Sequence, residues 1–429
     1  MKILLPTERA CVLVLATVIA PAFVARCEDK NPIDEAARVP ARDYRFDGNI
    51  SREVLENYLS RSVSFTELLH DDLSQPRNRR GVDPRDNIRF IQNTGAKFIG
   101  RALMCWGRER ELDSLLRNAK AFAAELHKAD PDIVLQGAAF EIVTSGVETV
   151  AIPEYVLKEF SEPLTKRNFR LDGIRYPAGT HRMGNGAIPD MNQLETRMWF
   201  YFLCTQYIDA GIEAIHFGQI GLMDQNDRKH AAWLDMLGRV RAYAREHARR
   251  HFVICDAHTP TGGYVEDGKL LFDAHAFPLR IAQGDQPLKG KLQAGYTDAL
   301  FNRSKGGITP SGWSCEHLPY LVEFDNFGGR NQGQSSAGTI FCWGYDEITW
   351  FSIQPETERN QWLHYAWKWI AENDPNGHLE IPGSRVISPA RNSGGPRWYW
   401  ANTRSDACPE GSNTEETIKE IWAADSARK

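Results

Sequence analysis

The chain has 429 residues, 42% of them hydrophobic and 25% charged, with a formal net charge of -5. That is enough length and apolar content for one large buried core or two smaller ones. The slight acidity and the lack of a basic stripe exclude nucleic acid as an electrostatic partner, and Arg249 and Arg250 fall where a helix runs into a strand, a place that suits cations.

The first element is an address. Positive charge in "MKILLPTER" precedes the apolar run "ACVLVLATVIAPAFVA", so residues 1–27 read as a secretory signal peptide, followed by a polar N-terminal linker at 28–44. The mature chain is therefore expected to be secreted or periplasmic. Cys27 offers a lipoprotein anchor, but Arg26 stands where such an anchor wants a small residue. No later segment has the length and apolarity of a membrane span. Six further cysteines, Cys105, Cys204, Cys255, Cys315, Cys342 and Cys408, form no C-x-x-C pair, which excludes a zinc ribbon and a dense disulfide scaffold. Cys315 with Cys342 is the bridge to check first, and Cys255 reads as a buried thiol in a strand.

Short apolar runs then alternate with segments of helical period. Strands are expected at 62–69, 97–107, 132–143, 212–223, 251–260, 269–281, 318–329 and 348–355, most of them followed by an amphipathic helix such as 108–129, 191–211, 227–250 or 356–374. Such alternation calls for parallel strands with helical crossovers. Eight units predict an α/β fold, a (β/α)8 TIM-type barrel over 45–375 with long mouth loops, and an irregular C-terminal extension at 376–429 packed on it. An open doubly wound sheet would begin with a Gly-rich phosphate loop, and none follows the first strand.

A barrel places its chemistry at the C-terminal ends of its strands. Those ends carry Glu141 after the third strand, His216 and Gln219 on the fourth, Asp256 and His258 on the fifth, Asp273 and His275 on the sixth, Glu323, Asp325 and Asn326 on the seventh, and Gln354 on the eighth. Strand starts, in contrast, read mostly apolar. In "LPYLVEFDNFGG", Val322 and Phe324 face the helix layer by alternation, so Glu323 and Asp325 share the lumen side. The repeated Asp256-Ala257-His258 and Asp273-Ala274-His275 admit two readings, a divalent-metal site or an Asp orienting a substrate-binding His, and the second is preferred. Trp106, Trp313 and Trp343 fall on or beside expected mouth loops, where flat rings suit the C–H faces of sugars. Trp233, Trp362, Trp367 and Trp369 lie in helices and read as core.

With "GAAFEIV", "EAIHFGQI" and "YLVEFDNFGG" at strand ends, and with those tryptophans, the chain resembles secreted (β/α)8 proteins of the glycoside-hydrolase type. The resemblance implies a glycosidase chemistry built on paired carboxylates, drawn here from Glu141, Asp256, Glu323 and Asp325, acting on an oligosaccharide or polysaccharide without a cofactor or metal. It also implies substrate contacts from Trp106, His216, Gln219, His258, His275, Trp313, Asn326 and Trp343. The larger clan carries an acid/base Glu after its fourth strand, where this chain has Gln219, and Glu213 stands at the wrong end of that strand. Two alternatives stay open: a metal-dependent hydrolase on the two D-A-H strand ends, and a barrel that binds glycans without cleaving them.

Overall fold

The computed structural model describes residues 42–178, 180, 182–183, 186–286, 289–296, 299–326, 346–387 and 398–426. The expected signal peptide and most of the linker, Cys342 and its pairing with Cys315, and Trp343 lie outside the described residues.

Eight strands close into a parallel barrel: β1 Ser62–Phe65, β2 Phe98–Met104, β3 Val134–Ala138, β4 Ala214–Gln219, β5 Ile254–His258, β6 Ala274–Pro278, β7 Tyr320–Glu323, and β8, made of Gly377–Leu379 and Ile381–Val386 on either side of Glu380. Closure runs through β8. Its first part pairs with β7, Tyr320 opposite Gly377, and its second part pairs with β1, Val63 opposite Ile381. The (β/α)8 expectation holds, with one strand misplaced.

That strand is the eighth. Ile348–Pro355 was expected to extend, but Glu347–Ser352 is a helix begun by Asp346, whose carboxylate accepts from the Thr349 amide at 2.7 Å. A short apolar run does not by itself separate a buried strand from a buried helix turn. Consequently Gln354 does not end a barrel strand. The real β8, "GHLEIPGSRV", lies beyond the expected barrel limit at 375 and looks like a turn-rich tail because it carries Gly377, Pro382, Gly383 and two charges. Gly383 is the extra residue of a bulge, since Ser64 pairs with Pro382 and Phe65 with Ser384. A Cβ there would lie 2.8 Å from the Phe65 ring. Residues Trp398–Trp400 then add an antiparallel strand to β8, and the helix Glu415–Ser426 follows.

The lumen is built in layers. At its N-terminal end Phe98, Val134, Ala214, Ile254, Ala274 and Leu321, one from each of β2 to β7, pack with Phe46, Ile50 and the helix Arg52–Leu59 into a buried apolar floor. Ser51 caps that helix by accepting from the Val54 amide at 3.2 Å. Two residues further along β3, β4, β5 and β7 the side chains become Gln136, His216, Asp256 and Glu323. Two more bring His258 and Asp325 to the mouth. Period-2 alternation thus produces an apolar plug at the floor and a polar layer above it, toward the C-terminal ends of the strands. Outward-facing Cys255, Val322 and Phe324 join the main core with the helices, among them Trp233. Burial in this apolar layer pushes the Cys255 thiol up to about 12, so it is inert at neutral pH. No helix among the described residues is long and apolar enough to cross a membrane.

Candidate active site

Glu323 is the deepest of the mouth acids and the most constrained. Arg101 donates to its Oε1, and Arg385 donates to its Oε2 at 3.3 Å. Both arginines escape a reading by alternation, because both arrive on bulges. In β2 the register passes from Ile99 opposite Leu135 to Leu103 opposite Gly137, so three residues stand against Gln136 alone. Arg101, at the centre of that excess, takes φ +55° and turns inward. In β8 the Gly383 bulge resets the alternation, so Glu380 and Arg385 both face the lumen although their numbers differ in parity. A buried carboxylate needs such partners to stay ionised.

Beside this pair runs a second polar chain. The Arg101 amide donates to Gln136 Oε1 at 3.0 Å, and Gln136 Nε2 donates to Asp256 Oδ1 at 2.7 Å. Asp256 Oδ2 lies 2.7 Å from His216 Nδ1, and His216 Nε2 lies 3.5 Å from the Arg101 guanidinium. Burial disfavours charge on both members of the Asp256–His216 pair, raising the acid to about 7 and lowering the imidazole to about 3. His216 is therefore neutral at physiological pH, with Nδ1 against Asp256 and Nε2 against the Arg101 guanidinium. Glu380, packed against Gly100 and Ser62, is likewise raised by burial and then by the neighbouring Glu323 charge.

At the mouth the environments diverge. Burial alone would raise Asp325, but Arg280, donating at 2.9 Å, and next His258 hold it below the ordinary Asp value. Its side chain is 21% exposed. Glu141 is buried and raised by that burial, although Gln219 donates to it through its amide N at 3.0 Å and its side chain at 3.3 Å. Gly218 makes this possible: it sits at φ +58°, and a Cβ would meet Glu141 Oε2 at 2.0 Å. Asn326 bridges to β8, accepting from Arg385 at 2.7 Å and donating to the Val386 carbonyl at 2.8 Å. Glu347 does a different job. Its carboxylate accepts from the amides of Ile281 and Asp325, which fixes the two loops that carry Arg280 and Asp325.

Of the residues expected at the site, Glu141, His216, Gln219, Asp256, His258, Glu323, Asp325 and Asn326 lie in the lumen or at its mouth. Trp106 stands 43% exposed beyond β2, edge-on to Phe140 at 5.0 Å, and Phe140 in turn meets the His216 ring at 5.8 Å. Two expectations fail. Trp313 donates to the Ile50 carbonyl at 3.0 Å and packs on the floor cluster, because the long segment after β6 returns to the opposite end of the barrel before β7 starts. His275 points outward, with Nδ1 3.1 Å from Ser304 Oγ.

The second failure has a one-residue cause. In the β5–β6 register Ala274 pairs with Asp256, and His275 with Ala257. The two D-A-H triplets are therefore offset by one, and that offset reverses the face of every side chain. Asp256 and His258 enter the lumen, whereas Asp273 accepts from the Cys255 amide at 3.0 Å and from Arg241 on the outer helix Ala231–His247 at 3.2 Å. These four residues do not converge on one ion, which corrects the metal reading of that motif. Glu213 lies at the floor end, buried against Arg250 at 2.6 Å.

No protein-family model matches the chain, and no curated protein matches it. Among solved structures it is similar to an alpha-amylase from Geobacillus thermoleovorans complexed with acarbose, at 10% identity over 86% of this chain and 79% of the other, with a TM-score of 0.46. It is also similar to an acarbose-soaked debranching enzyme from Nostoc punctiforme, at 11% identity over 89% of this chain and 83% of the other, with a TM-score of 0.44. At this level of similarity no residue role carries over from either protein.

Proposed function

We propose that the chain is a secreted glycoside hydrolase that cleaves an oligosaccharide or polysaccharide at the barrel mouth. The observation that carries this reading is the contrast between two mouth carboxyls: Asp325 accepts from the Arg280 guanidinium at 2.9 Å, which favours its charge, while Glu141 is buried against the neutral Gln219, which favours its protonated form. Glycosidic bond cleavage needs that combination, one proton donor and one carboxylate facing the sugar. Glu141 gives its proton to the leaving oxygen as the bond to the anomeric carbon breaks. Asp325 meets the positive charge that develops on the ring, either by attacking that carbon or by activating the water that does. His258 orients hydroxyls at the mouth, and Trp106 stacks on a sugar face outside the lumen. Glu323, with both oxygens taken by guanidiniums, anchors the site rather than reacts.

A second reading has one observation in its favour. Gln219 engages both Glu141 oxygens at the end of β4, an arrangement that also suits a barrel that binds glycans without cleaving them. Reducing-end release from a panel of soluble glycans by the purified chain separates the two. The first predicts turnover on at least one member; the second predicts binding with none. Because the D-A-H residues diverge, turnover is expected to be the same with and without EDTA. Activity lost in EDTA and restored by a divalent ion would contradict that geometry.

A further inference from the structure

The carboxyls above do not explain why a partly buried arginine occupies strained backbone between them. Arg101 takes a left-handed φ in the middle of a barrel strand, a conformation that strains a non-glycine residue and persists where the surroundings hold it. What holds it is a closed ring of contacts through Gln136, Asp256 and His216, plus the bond to Glu323. The guanidinium also lies 5.7 Å from the centre of the Phe140 ring, the residue before Glu141.

We propose that Arg101 is the positioning residue of this site: its guanidinium ties Glu323 on β7 to His216 on β4 across the lumen, and its charge adds to that of Arg280 at the mouth carboxyls. This rests on the glycosidase reading. The groups around it come from five other strands of the barrel or their ends. Glu323 and Asp325 face it from β7 and its end, Asp256 from β5, His216 from β4, Glu380 and Arg385 from β8, and Glu141 from beyond β3. Burial is the largest influence on Glu141, Asp256 and Asp325, and the Arg101 charge opposes it in all three by favouring the carboxylate.

Two substitutions test the role. Arg101→Met removes the charge, so Asp325 and Glu141 both rise, and both limbs of the pH profile of kcat/KM are expected to move to higher pH. Arg101→Lys keeps the charge but loses the planar fork that spans Glu323 and His216. Its limbs are expected to stay in place while kcat falls about tenfold or more and KM changes by less than about threefold. A folded Arg101→Met variant with lowered rates but unmoved limbs would overturn the proposal. If that variant does not fold, Arg101→Lys decides, and wild-type kcat there would overturn it. Should the wild-type chain cleave no glycan, the glycosidase reading is what fails. Carbon-13 NMR titration of Asp325 in the Arg101→Met protein then still decides the electrostatic role, an upward move supporting it and no move refuting it.

Discussion

Asp325→Asn is expected to leave a folded barrel that still binds glycan but turns it over about a hundredfold more slowly or worse. The reason lies in what Asp325 does and does not hold up. It is the partly exposed acid of the lumen face, it bonds Arg280, and its backbone amide rests on Glu347, a contact that the substitution leaves in place. An Asn retains an oxygen for Arg280 while removing the negative charge that faces the reacting carbon. An interaction made mainly in the transition state lowers kcat far more than it raises the dissociation constant. Turnover and calorimetric glycan binding on the same preparation check this. Wild-type turnover per folded molecule would remove Asp325 from the mechanism.

Glu323 is expected to behave in the opposite way, although it sits two residues earlier on the same face. Glu323→Gln strands Arg385, buried, and Arg101, partly buried, in the lumen, each facing a neutral amide in place of a carboxylate. Breaking one side of a buried ion pair costs about 3–5 kcal/mol, a large share of a domain's net stability of about 5–15 kcal/mol. Denaturant melts should therefore show a much lower midpoint for Glu323→Gln than for Asp325→Asn. Equal midpoints would mean that the two arginines find other partners and that Glu323 is no anchor. Arg385→Met should mimic the loss, because it leaves Glu323 and the raised Glu380 with one cation instead of two.

Much of this was legible in the sequence, and the gaps have specific causes. β1 to β7 could be read because apolar runs of strand length alternate with amphipathic helices. β8 could not, because the residues that let it close the barrel, a glycine bulge, a proline and two lumen charges, are the residues that mark turns elsewhere. The carboxyls at the strand ends followed from alternation, which correctly gave Glu323 and Asp325 a common face. Arg101 and Arg385 did not, since each enters through a bulge, where alternation is suspended. A Gly beside a charge inside a strand, as in Gly100-Arg101, was the available signal. His275 was misplaced by a register offset of one, which no single strand reveals. Trp313 was misplaced because a long loop leaves the mouth and returns at the floor.

The pH dependence of kcat/KM, measured for the wild-type chain and for Glu141→Gln on the glycan cleaved fastest, tests the central claim most directly. A bell is expected in the wild type. Its acid limb lies below the ordinary Asp value, where Asp325 gains a proton, and its alkaline limb lies above the ordinary Glu value, where Glu141 loses one. In Glu141→Gln the alkaline limb should vanish and the rate fall, with activity kept best on aryl glycosides whose leaving groups need no proton. An alkaline limb that survives in Glu141→Gln would show that another group donates the proton and would contradict the assignment.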